Sequence, residues 1–142
     1  MQQRKFDLPP DELDRLDRMR AVIRDQLPQA VWPQLDTVAG KLGTLRALLE
    51  AQRFAPDQAW ELQSMGIVLG DAFVQELGMH WIGVEDQYGF DPAVQFEDTS
   101  VLIYPQTMIS KRVEDGEDFD VLRLFDIVVG EVRRLVAEER AR

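Results

Sequence analysis

The chain has 142 residues, a formal net charge of −10 and no cysteine. That length suits one domain with its own core, and the missing thiols exclude disulfides and zinc–thiolate centres. The acidic balance argues against nucleic acid, whose binders present basic surfaces, and suits a basic protein partner. No run reaches the roughly 18 apolar residues of a membrane span. Met1 to Pro10 is polar and holds no signal-peptide segment, so a bacterial, cytoplasmic protein is expected.

Residues 1–9 read as a loose arm. Pro9 and Pro10 then open D-E-L-D-R-L-D-R-M-R-A-V-I-R-D-Q-L, in which Leu13, Leu16, Met19, Ile23 and Leu27 share one face. This is an amphipathic helix, started by proline and acidic residues and stopped by Pro28. Val31, Leu35, Val38, Leu42, Leu45 and Leu49 keep a four-three spacing, a heptad-like seam that also offers a surface for self-association. Gly40 and Gly43 lie inside the seam. It therefore reads as one bent helix or as two pieces that break near Gly40.

The central stretch runs from Pro56 to Glu85. Leu62, Leu69, Phe73 and Leu77 form one stripe, and Trp60, Ile67 and Val74 form another. A helix apolar over most of its circumference is a buried one. The spacing predicts it over 57–77, with Pro56 at its start and Gly78 as a left-handed cap. Gly66 and Gly70 stack one turn apart, and each costs about 1 kcal/mol relative to alanine. That cost is repaid if another backbone crosses there, and the 31–49 segment is the expected partner.

After Gly78 the period changes to two. Met79, Trp81, Gly83 and Glu85 alternate with His80, Ile82 and Val84. D-Q-Y-G signals a turn, Pro92 restarts the chain, Val94 and Phe96 mark a second strand, and V-L-I-Y a third. Residues 105–117 read as a short helix or a loop. Asp118 is the expected N-cap of a final helix whose apolar face is Phe119, Leu122, Phe125, Val129, Val132 and Leu135/Val136. The expected fold is α+β: a single domain over 1–142 with three to four main helices on an antiparallel sheet of about three strands.

No catalytic constellation emerges. His80 is the only histidine, and one histidine without cysteine does not anchor a metal. No phosphate loop, G-x-S-x-G or calcium-loop spacing is present. The acidic run Glu114, Asp115, Glu117, Asp118 and Asp120 reads as a solvated loop leading to the final helix. No cofactor or metal is expected. The residues singled out for binding are Trp81, Tyr88, Tyr104, Lys111, Arg112 and Glu114; Tyr104, Lys111 and Arg112, with Gln106 nearby, suit an anion or peptide pocket, and pairing of Lys111–Arg112 with Glu114 or Asp115 is the alternative.

Three segments, L-Q-S-M-G-I-V-L-G-D-A-F, L-G-M-H-W-I-G-V-E-D-Q-Y-G and Y-P-Q-T-M-I-S-K-R-V-E-D-G-E-D-F-D-V, occur in an order that resembles an uncharacterised bacterial family, domain of unknown function 3806. The resemblance spans about half the chain and implies no activity, cofactor or catalytic residue. The leading expectation is a non-enzymatic protein-binding module, immunity-protein-like or chaperone-like, taking a basic protein partner and being itself a monomer or homodimer. The alternatives are a small hydrolase or ligand-binding protein using Tyr104, Lys111, Arg112 and turn carboxylates, or a homo-oligomeric structural module.

Overall fold

A computed structural model describes residues 3–142. The elements follow the order β1 (Arg4–Phe6), α1 (Pro10–Arg24), a 3₁₀ segment (Gln29–Asp36), α2 (Val38–Glu50), α3 (Ala59–Leu77), β2 (Met79–Asp86), β3 (Gly89–Phe96), β4 (Leu102–Ile103), a 3₁₀ turn (Pro105–Thr107), α4 (Met108–Glu114) and α5 (Val121–Arg140). The fold is α+β, with helices packed on an antiparallel sheet of order β1-β2-β3-β4. Four helices are long and α4 is short. The sheet has four strands rather than three, because part of the expected loose arm pairs with β2. Arg4 lies opposite Glu85 and Phe6 opposite Gly83. Met1 and Gln2, also part of that arm, lie outside the described residues.

α3 is the axis of the core. Ten of its residues are buried, from Leu62 to Phe73. Its start is later than expected: Gln58 is the N-cap, and Pro56 stays in the preceding turn. Its end is as read, with Gly78 left-handed at φ 68°. α1 lays Leu16, Met19 and Ile23 against it, while Leu13 at the helix start remains 49% exposed. Burying each of those three contributes roughly 1.5–3 kcal/mol. α5 adds Phe125, Val129, Val132 and Val136, and the Phe125 ring stacks on Phe73 at 4.9 Å.

Gly66 and Gly70 do mark a close crossing, but with a different partner from the one expected. A β-carbon on Gly66 would lie 2.4 Å from the Gln106 carbonyl oxygen and 2.5 Å from that of Pro105. One on Gly70 would lie 2.4 Å from the Trp81 ring and 2.7 Å from Pro105 Cγ. The turn after β4, not the seam helix, therefore rests on the bare face of α3. The seam is in two pieces, and the break falls at Thr37, just before Gly40. Thr37 is extended and its Oγ1 accepts from the Gly40 amide at 2.9 Å, an N-cap that starts α2 afresh. Pro33 within the 29–36 segment suits its short 3₁₀ form.

β2 and β3 pair over eight positions from Met79↔Phe96 to Asp86↔Gly89. Met79, Trp81 and Val94 join the helix-covered core, while Ile82, Val84 and Ala93 form a smaller cluster with Leu102. Strand alternation places that cluster on the opposite face of the sheet. Pro92 does not restart the chain; it sits inside β3 opposite Gly83. β4 pairs only with Val94 and Gln95, so no β4 residue faces Pro92 and its missing N–H breaks no bond on that side. The final helix is capped by Asp120, whose carboxylate accepts from the Leu122 amide at 3.0 Å, rather than by Asp118.

Candidate functional site

Two polar regions stand apart from the apolar core. The first lies where α1, α3 and β2 meet. Asp71 is the lone charged residue in the buried middle of α3, and three donors converge on it. Trp81 Nε1 donates to Oδ1 at 2.9 Å. Arg20 donates through Nε to Oδ2 at 2.6 Å and through a terminal nitrogen to Oδ1 at 2.9 Å, a bidentate fork. Arg20 also reaches Asp17 on its own helix at 2.8 Å. Burial pulls the Arg20 pKa down, but the hydrogen bonds and charges of Asp71 and Asp17 outweigh it and leave the guanidinium above its ordinary value. Trp81, one of the expected binding residues, thus acts here as a donor that fixes Asp71.

Beside this network opens a cleft of about 300 Å³, lined by Asp17, Arg20, Ala21, Arg24, Leu35, Lys41, Val68 and Asp71. The Arg24 guanidinium lies 4.8 Å over the Trp32 ring. Lys41 Nζ donates to Gln75 Oε1 at 2.9 Å, and Gln75 in turn donates to the Asp36 carbonyl. Sequence reading singled out none of Arg20, Arg24 or Lys41. A usable signal was present: a charged residue inside a helix apolar on most sides needs a buried partner.

The second region is the β2–β3 hairpin end. Tyr88 at the tip is 88% exposed. Its backbone N–H donates to Asp86 Oδ1 at 2.8 Å, an Asx turn that fixes the tip. Arg4 pairs with Glu85 at 2.7 Å. Gln3 donates to the Tyr104 hydroxyl at 3.1 Å, joining the chain before β1 to the chain after β4. Partial burial and then repulsion from Asp86 push the Asp91 carboxyl up, offset only in part by Lys111 and Arg15. Partial burial, with the negative charge of Asp86 and Asp91, also pushes the Tyr104 phenol up. Asp86 thus acts on both groups, and Asp91 on Tyr104 as well.

Of the expected pocket, Tyr104 and Lys111 both lie within electrostatic reach of Asp91. Arg112 is engaged elsewhere: it donates to the Met108 carbonyl at 2.8 Å and pairs with Glu117 at 3.2 Å, tying α4 to the loop that follows. Glu114 is exposed at the end of α4. His80 is exposed on β2. No group of three or more His, Asp or Glu among the described residues could hold a metal ion, and no helix there is long and apolar enough to cross a membrane.

These features define a small α+β fold with a partly buried ion pair between two helices and a hairpin end that carries Asp86 and Asp91. The chain belongs to the family described as Domain of unknown function (DUF3806), which matches residues 41–125. The fold is also similar to a crystal structure from Bacteroides thetaiotaomicron VPI-5482, with a TM-score of 0.69 and 14% identity. That likeness covers 91% of this chain and 48% of the other, so the chain spans about half the length of that protein. No curated protein matches the chain.

Proposed function

We propose that the protein is a non-enzymatic binding module whose hairpin end receives a basic protein partner. One observation carries this reading: an almost fully exposed tyrosine, Tyr88, its amide held by Asp86, tips a hairpin in which repulsion of Asp91 by Asp86 is offset only in part by Lys111 and Arg15. A lysine or arginine from a partner would relieve that repulsion, and the aromatic ring would supply contact area and a cation–π face. The chain's overall charge of −10 would speed the encounter with a positively charged surface.

The test is capture from a lysate of the source cells with the wild-type protein and with a Tyr88→Ser, Asp86→Asn, Asp91→Asn variant, read by mass spectrometry. One basic protein retained by the wild type at low salt, and lost both at high salt and by the variant, is the expected result. Retention by the variant as strong as by the wild type would remove the hairpin end from the interaction.

A second reading, a ligand-binding protein or hydrolase, has the shared proximity of Tyr104 and Lys111 to Asp91 in its favour. It requires those groups to act on one bound molecule. Arg112, held by Met108 and Glu117, takes no part in that arrangement.

A further inference from the structure

We propose that the cleft between α1, α2 and α3 is a binding site for a small monocarboxylate with an apolar body. The argument begins with charge. The chain as a whole is strongly acidic, yet three cations, Arg20, Arg24 and Lys41, line this one cleft against two carboxylates, Asp17 and Asp71. Asp25, 3.5 Å from Arg24, brings the carboxylates to the same number, but among the described residues neither Arg24 nor Lys41 has a carboxylate within close hydrogen-bond distance, and a ligand carboxylate would supply one. The two lining carboxylates are not free to neutralise the remaining cations. Asp71 is occupied by the Arg20 fork and the Trp81 indole, and Asp17 by Arg20.

Arg24 and Lys41 are the cations with capacity to spare. Arg24 stacks on Trp32 and forms a loose ion pair through Nε with Asp25 at 3.5 Å, which leaves its terminal nitrogens as available donors. Lys41 gives one hydrogen bond to the neutral amide of Gln75, and an ammonium has three to give. Both side chains are positioned before any ligand arrives. The indole orients one and the Gln75 amide, itself fixed by the Asp36 carbonyl, orients the other. That preorganisation lowers the ordering cost of binding.

The remaining lining is apolar: Ala21, Leu35 and Val68. A cleft of about 300 Å³ lies at the small end of ligand pockets and suits a compact molecule. A carboxylate head between Arg24 and Lys41, with its hydrocarbon part on Leu35 and Val68, uses every kind of surface present. This site lies on other elements from the hairpin end and takes a ligand of opposite charge, so it stands independently of the partner reading above.

The experiment is a titration of the ¹⁵N-labelled protein with hexanoate, followed by two-dimensional amide spectra. Saturable shifts are expected at residues 20–24, 35–41 and 68–71. An Arg24→Gln, Lys41→Gln variant should weaken binding at least about tenfold. Both residues are at the surface, and the variant's own spectrum reports whether the fold is retained. Hexylammonium, with the same chain and the opposite charge, should leave these residues unshifted. No saturable shift at these residues, equal binding by the variant, or equal binding of hexylammonium would overturn the site. Inorganic phosphate binding as tightly as hexanoate would overturn its assignment to a carboxylate with an apolar body.

Discussion

The α1–α3–β2 junction and the β2–β3 hairpin end both collect charged residues, but they treat them in opposite ways. At the junction, Asp71 has a cation and an indole N–H on it, and no buried side-chain nitrogen or oxygen among the described residues lacks a hydrogen-bond partner. At the hairpin end, Asp91 is partly desolvated and repelled by Asp86, and Lys111 and Arg15 offset this only in part without pairing with it. Burial explains the difference. A charge taken out of water must be paired, whereas one left in water survives beside its like at small cost. Substitutions at the junction should therefore register in stability, and those at the hairpin end should register in binding.

The largest expected effect is Gly66→Ala. The new β-carbon would meet two backbone carbonyls, which cannot rotate away, and should cost about 2–3 kcal/mol in urea denaturation. Gly43→Ala, in α2 with open space around the added carbon, should instead gain about 1 kcal/mol. If both glycines respond alike, the crossing by Pro105 and Gln106 is not what demands Gly66. Next is Asp71→Ala, which leaves Arg20 and Trp81 without their acceptor. With Arg20 partly in solvent the expected loss is about 2 kcal/mol, and a double-mutant cycle with Arg20→Ala should show coupling between the two.

Asp120→Ala removes the cap of α5 and should cost about 1 kcal/mol, while Asp118→Ala should cost much less. The hairpin end gives the smallest effects. The folded Asp91 carboxyl titrates above its ordinary value, so its ionised form disfavours the fold. That penalty is present at neutral pH and fades as pH falls through the carboxylate range. Asp91→Asn should therefore be slightly more stable than wild type at neutral pH, and the gap should close in acid-side denaturation curves. Tyr88→Ser should leave stability unchanged within about 0.5 kcal/mol, because the side chain touches little.

The sequence made the local features legible and left the distant pairings hidden. The two stripes of α3 and its Gly78 cap follow from periodicity and from one residue's backbone freedom. The bare face at Gly66 and Gly70 was readable as a crossing. Its partner was not, because Pro105 and Gln106 lie some forty residues away and nothing in their spacing points back. The N-cap of α5 fell among several acids within a few residues, and only the backbone angles choose Asp120. β1 is three residues long, too short for any alternation to appear. Among the site residues, Tyr88 and Tyr104 were readable as aromatics beside turns. The Arg20–Asp71–Trp81 network depends on three elements meeting, which no spacing encodes.

The pairing of β1 with β2 sets an order of events in time. Arg4 and Glu85 are 81 positions apart, whereas β2 and β3 are joined by a tight turn. At a synthesis rate of roughly 5–20 residues per second, the first strand waits about 4–16 s for its neighbour to be made. It waits as a polar segment, with Arg4 and Lys5 keeping it in water. The hairpin can close within microseconds of its completion, but the outer edge requires closure of a loop of nearly eighty residues. Loop length alone therefore favours a sheet assembled from its middle outward, with β1 laid in place after the hairpin.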